Sequence, residues 1–260
     1  MVLLHGFPEF WYGWRRQIGA LADAGFRVIV PDQRGYNESS KPADIRDYRI
    51  SELTADVLAI ADQIGREKIF LVGHDWGAAV AWNTAMRHPE RVSKLAILNV
   101  PHPAVMLRAL RTKPRQMVRS WYILFFQIPG LPEFLLSRKG FESCAEALEK
   151  TSRRGTFSAE DLAQYRNAWS KPGAITAMVN WYRALLRDMP DPKSVAVQVK
   201  VPTRILWGTK DAFLLQEMAG ESLAYCESGE LFEFPDATHW VQHEEAERVN
   251  QLLIEFFKTA

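Results

Sequence analysis

The hydrophobic residues of this chain fall into short runs that alternate with segments of helical spacing. Six runs have the length of a buried strand: VLL (2–4), RVIV (27–30), KIFLV (68–72), KLAILNV (94–100), TRILWG (203–208) and LFEFP (231–235). Apolar residues at intervals of three and four predict helices over 51–65, 78–88 and 243–257, with Ser51 as a candidate N-cap and Pro89 as a helix stop. Buried strands alternating with helices predict an α/β fold with a mostly parallel sheet, covered by helices on both faces.

The strand pattern is interrupted between about residue 101 and residue 200. This interval is mostly helical in pattern, rich in Trp, Tyr and Phe, and punctuated by proline and glycine at IPGLPE and KPGA. The strands resume after it. We therefore expect a core formed by residues 1–100 and 201–260 and a helical cap, or lid, formed by residues 101–200.

Composition and charge exclude several classes of protein. The 260 residues are 47% hydrophobic, enough for a sizeable core, and the formal net charge of +1 gives no indication of a nucleic-acid partner. Cys144 and Cys226 have no metal-binding spacing and are expected to be reduced packing residues. No run reaches the roughly 20 apolar residues of a membrane span, and the start lacks the basic region of a signal peptide, so a cytoplasmic location is the default. The basic segment 108–119 is expected to form a solvated helix face, with membrane contact as the less favoured alternative.

The stretch LVGHDWGAAV places Asp75 at a sharp turn between a strand and a helix. Its G-x-D-x-G pattern has the form of a nucleophile elbow, and Gly73 and Gly77 are small where strand and helix pass close together. An aspartate, whose carboxyl group ordinarily titrates at about pH 3.9, is ionised at neutral pH and can attack without a base. It suits displacement at a saturated carbon, which leaves an alkyl ester that water must hydrolyse. The pattern favours strained cyclic ethers or carbon–halogen bonds as substrates.

The other catalytic residues should follow in the chain order nucleophile, acid, histidine. Asp211 comes just after strand TRILWG and His239 just after strand LFEF, so both fall at the same sheet edge as Asp75. Asn99 occupies the other position where an acid could stand, but an amide cannot stabilise imidazolium as a carboxylate does. Asp236 and His243 are the local competitors, and His243 is expected to open the last helix.

An oxyanion site is also required, because negative charge develops on the Asp75 carboxyl group when water attacks the ester. The backbone N–H groups of Phe7 and Trp76 are the candidates.

Taken together, HGFPEFWYGWRRQ, PDQRGYNES, VGHDWGAAVAW, WGTKDAF and THW resemble the epoxide hydrolases of the α/β-hydrolase fold. The resemblance covers essentially the whole chain. It implies a cis bond at Phe7–Pro8 and a pair of lid tyrosines over the nucleophile, at Tyr122 in WYILFFQ and Tyr182 in NWYRA. It also implies strands before the one that carries HGFP, so we expect the N-terminal strands of the fold to be absent from this chain.

The resemblance implies hydrolysis of a small apolar epoxide by water to a vicinal diol, with no metal or organic cofactor. Tyr122 and Tyr182 would hold the epoxide oxygen and supply its proton, which a phenol is suited to do. Six aromatic residues suggest an apolar cavity: Trp11, Trp14, Trp76, Trp121, Phe125 and Phe126. Oligomeric state cannot be read from the sequence.

Three alternatives remain open. Haloalkane dehalogenases share the aspartate nucleophile and the following tryptophan, but usually carry a second halide donor, often Asn, where this chain has Phe7. Fluoroacetate (haloacetate) dehalogenases carry Arg after the nucleophile, where this chain has Trp76. Non-catalytic binding proteins with this fold tend to lose members of the triad, whereas Asp75, Asp211 and His239 are all present.

Overall fold

The computed structural model contains one sheet of five parallel strands in the order β1-β2-β3-β4-β5. It describes residues 1–189 and 191–259, apart from the side chain of Lys193. The strands are β1 (Val2–Leu4), β2 (Ile69–His74), β3 (Val92–Leu98), β4 (Thr203–Gly208) and β5 (Gly229–Phe234). Because all five strands are parallel, their carboxyl ends lie at one edge of the sheet. The predicted α/β architecture is confirmed.

The predicted strand RVIV is the one run that does not form a full strand. Within it only Ile29 pairs with the sheet, in a parallel bridge to Val2. Its N–H donates to the carbonyl of Met1 at 3.0 Å, and its carbonyl accepts from Leu3 at 2.9 Å. The segment lies beside the short strand β1, so it has only three strand residues to pair with.

Helices follow the strands as the sequence predicts. They are α1 (Arg15–Asp23), α2 (Ile50–Gln63), α3 (Trp76–Arg87), α4 (Pro103–Thr112), α5 (Pro114–Arg119), α6 (Trp121–Phe125), α7 (Leu131–Thr151), α8 (Ala159–Trp169), α9 (Ala174–Arg187), α10 (Pro192–Val195), α11 (Glu217–Leu223), α12 (Val241–Glu244) and α13 (Ala246–Lys258). Helix α7 is kinked between Arg138 and Phe141. Helices α4 to α10 occupy the interval between β3 and β4, for which the sequence predicts a cap.

Two details of the helix predictions are wrong. Helix α2 begins at Ile50, so Ser51 lies inside it rather than capping it. The C-terminal segment forms two helices rather than one, because Glu245 has non-helical dihedral angles between α12 and α13. His243 consequently lies in α12 and does not open the last helix.

The two faces of the sheet are covered by separate apolar layers. Alternate strand residues such as Leu71 and Leu95 pack in one cluster with α2, α3 and the helices between β3 and β4. Their neighbours Val72 and Ala96 pack in a second cluster with α1 and α13. This alternation is the two-residue period expected of strands that are buried on both faces.

Both cysteines are free, as expected. Burial raises the pKa of Cys144 to about 12 and that of Cys226 to about 11, so both remain thiols at neutral pH. None of the helices in residues 1–189 and 191–259 is long and apolar enough to cross a bilayer.

Glycine at position 77 is required by the close passage of α3 over β1. A Cβ on Gly77 would collide with the backbone carbonyl of Leu4, which cannot move without distorting the strand. We therefore expect Gly77→Ala to lower the free energy of unfolding by about 3 kcal/mol or more, measured by urea unfolding. Gly19→Ala is the matched control, because Gly19 lies on the exposed side of α1 with free space around it. It should stabilise the protein by up to about 1 kcal/mol. Equal effects of the two substitutions would contradict this account.

Candidate active site

Asp75 lies at the turn between β2 and α3 in the strained geometry of a nucleophile elbow. Its φ of 50° and ψ of −126° are unusual for a non-glycine residue, and the turn holds its side chain above the carboxyl edge of the sheet. A Cβ on Gly73 would collide with the backbone of Gly77 and Ala78. A side chain on Gly6 would occupy the space of the Asp75 carboxylate. The small residues predicted from the motif are therefore required by the local geometry.

His239 lies between two carboxylates. Its Nδ1 is 2.7 Å from Oδ2 of Asp211, and its Nε2 is 3.5 Å from Oδ2 of Asp75. His239 and Asp211 are almost wholly buried, whereas the side chain of Asp75 is 19% exposed. The structure thus brings together the three residues that the chain order predicted as a triad.

Asp211 is fixed by donors from three directions. Its Oδ1 accepts from the N–H groups of Phe213 at 2.7 Å and Leu214 at 3.0 Å. Its Oδ2 accepts from the amide of Asn99 at 2.8 Å as well as from His239. Asn99, at the end of β3 with a φ of 47°, also accepts from the N–H of Gly208. Asn99, the other candidate for the position of the acid, therefore orients Asp211.

The charges of His239, Asp211 and Asp75 favour a protonated imidazolium that pairs with ionised carboxylates. Burial disfavours a charged His239, but the Asp211 and Asp75 carboxylates outweigh it and raise its pKa to about 10. Burial likewise acts to raise the pKa of Asp75, yet His239, His74 and the Trp76 amide hold it below the usual value for aspartate. At neutral pH Asp75 is therefore ionised and His239 is protonated.

The backbone N–H groups expected to form an oxyanion site both reach Asp75. The N–H of Phe7 donates to Oδ1 at 2.6 Å, and the N–H of Trp76 lies near enough to the carboxylate to lower the pKa of Asp75. The Phe7–Pro8 bond is cis, as the resemblance implied. Oδ1 is therefore held by the Phe7 N–H, while Oδ2 faces His239.

Tyr122 and Tyr182 lie together on the side of Asp75 that faces the helices between β3 and β4. Their ring centroids are 5.8 Å apart, and Tyr182 packs edge-on against Trp76 at 5.1 Å and Phe7 at 5.3 Å. Burial and the charge of Asp75 raise the pKa of both phenols above 10, so both remain protonated. The indole of Trp76, which can only donate, acts against these two effects and lowers the pKa of Tyr182.

The remaining candidates from the sequence lie only in part at the site. Asp236 is exposed and forms a salt bridge with Lys210 at 2.8 Å. The six aromatic residues expected to line a cavity separate into three groups. Trp76, Phe125 and Phe126 join the aromatic cluster around the two tyrosines, whereas Trp14 is in the core and Trp11 and Trp121 are exposed.

A buried polar network behind His239 was not predicted. Glu9 accepts from His243 at 2.7 Å and from Gln242 at 3.0 Å, and it also binds the hydroxyl of Tyr165 at 2.6 Å. His74 joins this network and hydrogen-bonds the backbone carbonyl of His239 at 2.9 Å through Nε2. The network fixes the loop that carries His239. Its only sequence signal is the presence of polar residues beside these motifs, Glu9 after HGFP and His74 at the elbow.

Comparison with known proteins agrees with this geometry. A family model of the α/β hydrolase fold matches residues 1–246. AB hydrolase superfamily protein YfhM of Bacillus subtilis (strain 168) is 45% identical, over 99% of this chain and 90% of its own length. Epoxide hydrolase 4 of Mus musculus is 38% identical, over 99% of this chain and 72% of its own length.

Crystal structures extend the comparison. The epoxide hydrolase of Bacillus megaterium in complex with an inhibitor superposes with a TM-score of 0.90 at 30% identity, covering 100% of this chain and 93% of that one. A variant of the same enzyme, with a TM-score of 0.89, holds its product, a naphthyloxy-propane-1,2-diol. The chain belongs to the α/β-hydrolase-fold family. Its predicted resemblance to the epoxide hydrolases of that family is confirmed.

Proposed function

We propose that this protein hydrolyses epoxides to vicinal diols through an ester formed on Asp75. The observation that carries the proposal is the position of Tyr122 and Tyr182 beside Asp75. The oxygen of an opening epoxide requires a proton donor, which two protonated phenols supply. A halide leaving group requires no such donor. The similarity to named epoxide hydrolases and the diol product of the B. megaterium relative support the same reaction.

Ring opening begins with Oδ2 of Asp75, since Oδ1 is held by the Phe7 N–H. Oδ2 attacks a ring carbon, one carbon–oxygen bond of the epoxide breaks, and its electron pair becomes an alkoxide. Tyr122 and Tyr182 hold the alkoxide by hydrogen bonds and relay a proton to it. Raised phenol pKa values keep these donors protonated throughout the neutral range.

Ester formation also changes the protonation state of His239. The Asp75 carboxylate, one of the two that raise the pKa of His239, loses its charge when it becomes an ester. The imidazolium therefore gives up its proton as the alkoxide gains one. The net change is a neutral hydroxy-ester beside a neutral imidazole that Asp211 keeps oriented.

Hydrolysis restores the starting state. Neutral His239 takes a proton from water, and the hydroxide attacks Cγ of Asp75. The negative charge that develops on Oδ1 is stabilised by the N–H groups of Phe7 and Trp76. The bond between Cγ and Oδ2 then breaks, and the diol leaves with the Oδ2 atom and with the second proton of the attacking water, which leaves Asp75 as a carboxylate. Asp75 is again ionised, His239 is again protonated, and no cofactor takes part.

The alternatives are disfavoured by particular contacts. A halide would be expected to bind the indole N–H of Trp76, but the ring of Tyr182 packs against this indole at 5.1 Å, and Phe7 offers no second side-chain donor. The haloacetate reaction needs a cation after the nucleophile, where Trp76 stands. A purely binding role would leave unexplained the ion pair of His239 with the two carboxylates.

Removal of the lid hydroxyls tests the epoxide assignment. We expect the parent protein to form diol from a small panel of terminal, aromatic and fatty-acid epoxides and to release no chloride from haloalkanes. Tyr122→Phe and Tyr182→Phe should each slow ring opening, and the double variant should slow it by about 10²- to 10⁴-fold. Tyr225→Phe is the matched control, because this half-buried tyrosine stacks on His102 away from Asp75.

The readouts separate the possible outcomes. Diol is measured by chromatography, and chloride by a halide assay. Chloride release by the parent that survives in the double variant would instead assign a dehalogenase. A folded parent that binds epoxides but makes neither product would assign a binding protein.

A further inference from the structure

An apolar surface patch lies on the helices between β3 and β4. In the described residues, nine large hydrophobic side chains are exposed, and seven of them fall within residues 117–134. We name these seven the cap patch: Met117, Val118, Trp121, Leu124, Ile128, Leu131 and Phe134. Trp121, Leu124 and Val118 are each more than 60% exposed. Such a concentration is unusual for a surface that faces only water.

The patch is the outer face of one amphipathic segment. Met117, Trp121, Leu124 and Ile128 recur at intervals of three and four along α5, α6 and the following turn, so they share one side. The intervening residues point inward: Gln116, Ser120, Ile123 and Phe126 are buried. Tyr122 also lies on α6, directed at the candidate active site. The outward side chains therefore leave much of their apolar surface outside the core.

The charge around the patch is strongly one-sided. Residues 103–140 contain seven Lys or Arg and a single acid, Glu133, although the whole chain has a net charge of only +1. Glu133 is already neutralised by Arg183 at 2.6 Å. Arg111 and Arg115 are exposed, and the guanidinium of Arg138 lies over the ring of Phe134 at 5.3 Å.

Acids from outside the segment balance only part of this charge. Glu217 and Glu221 pair with Arg108 and Lys113, and Glu142 pairs with Lys139. In the part of the chain that the structure describes, three outside acids therefore face seven basic residues. The patch therefore remains an apolar surface with a basic rim.

We propose that the cap patch docks on the surface of an anionic phospholipid bilayer. Trp and Leu facing outward between arginines are typical of helices that lie in the membrane interface, where the apolar side chains enter the acyl boundary and the cations contact phosphates. A second copy of this chain is the less suitable occupant, since it would bring two surfaces of the same sign together. The sequence ranked membrane contact of the basic segment below a solvated face, and the exposed side chains reverse that order.

Docking would place the candidate active site next to the apolar interior of the bilayer, in which apolar molecules dissolve. Helix α6 would contact lipid through Trp121 and Leu124 while Tyr122, on its other side, faces Asp75. The proposal does not depend on which reaction Asp75 performs, so the binding test can fail or succeed independently of the proposed function.

Vesicle sedimentation tests the proposal. We expect the parent protein to sediment with phosphatidylcholine vesicles that contain about one third phosphatidylglycerol, to bind pure phosphatidylcholine more weakly, and to be released by salt. Trp121→Ser combined with Leu124→Ser should lower the partition coefficient by about tenfold or more. Arg111→Gln combined with Arg115→Gln should lower it by about fivefold for each arginine.

Matched controls separate the patch from general surface properties. Arg154→Gln with Arg248→Gln removes the same charge at exposed positions outside residues 103–140, and Trp11→Ser removes another exposed tryptophan. These variants should bind as the parent does, and circular dichroism shows which variants are folded. The proposal is overturned if the folded parent stays in the supernatant, or if patch and control variants bind equally. It is also overturned if gel filtration without lipid shows a dimer that only the patch variants dissociate, because a second copy then covers the patch.

Discussion

Replacing Asp75 with asparagine is expected to reduce diol formation by at least about 10⁴-fold. The side chain keeps its shape and its place at the elbow, where Phe7 N–H holds Oδ1. A neutral amide, however, is a very poor nucleophile toward a ring carbon, and the neighbouring carboxylate of Asp211 cannot replace it, because His239 and backbone amides engage it. The measurement is diol released per enzyme under single-turnover conditions.

The same substitution should change the titration of His239. Both carboxylates raise the pKa of His239 to about 10 in the parent, and Asp75→Asn removes one of them. The imidazolium should therefore lose its proton at a lower pH than in the parent, which NMR of the histidine ring nitrogens can follow. Asp236→Asn is the matched control, because Asp236 is an exposed carboxylate that pairs with Lys210. An unchanged titration of His239 in Asp75→Asn would contradict the proton balance proposed for the ester.

The sequence was sufficient to place the candidate triad because of a general property of parallel sheets. The carboxyl ends of β2, β4 and β5 meet at one edge, so residues that directly follow these strands approach one another without any need to know the packing of helices. Asp75, Asp211 and His239 each follow a strand in this way. The G-x-D-x-G spacing also fixed the elbow, because only small residues fit where α3 passes β1.

Other parts of the site depend on contacts that no local pattern encodes. Asn99 could be recognised as a polar residue after β3, but not as a donor to Asp211, since the two are far apart in the chain. Glu9 binds His243 across 234 positions, and nothing in either segment identifies its partner. The prediction that Trp121 lines the cavity was also wrong, because its side chain faces the solvent. An aromatic residue on a short helix faces the site or the solvent according to the helix phase, which composition does not give.

Replacing His239 with glutamine should stop the reaction at the ester rather than prevent its start. Asp75 remains able to attack, with solvent in place of His239 as the source of the proton that the alkoxide gains. The water that must cleave the ester has lost its base, so turnover should fall by about 10²- to 10⁴-fold. Loss of the imidazolium also removes the charge that lowers the pKa of Asp75, whereas burial acts to raise it. Ester formation in this variant should therefore weaken as the pH falls, and the experiment belongs in mildly alkaline buffer.

Accumulation of the ester on His239→Gln would identify both residues in one measurement. Intact-protein mass spectrometry should show an increase equal to the mass of one epoxide, and peptide mapping should place the increase on Asp75. His88→Gln is the matched control, because His88 is a partly exposed histidine 3.5 Å from Glu90, and it should turn over without accumulating an adduct. The oxygen balance gives a further check: parent enzyme in ¹⁸O-water should release an unlabelled diol from its first turnover, since that diol leaves with Oδ2 of Asp75. Labelled diol in the first turnover would mean that water attacks the ring directly, and the role proposed here for Asp75 would then be wrong.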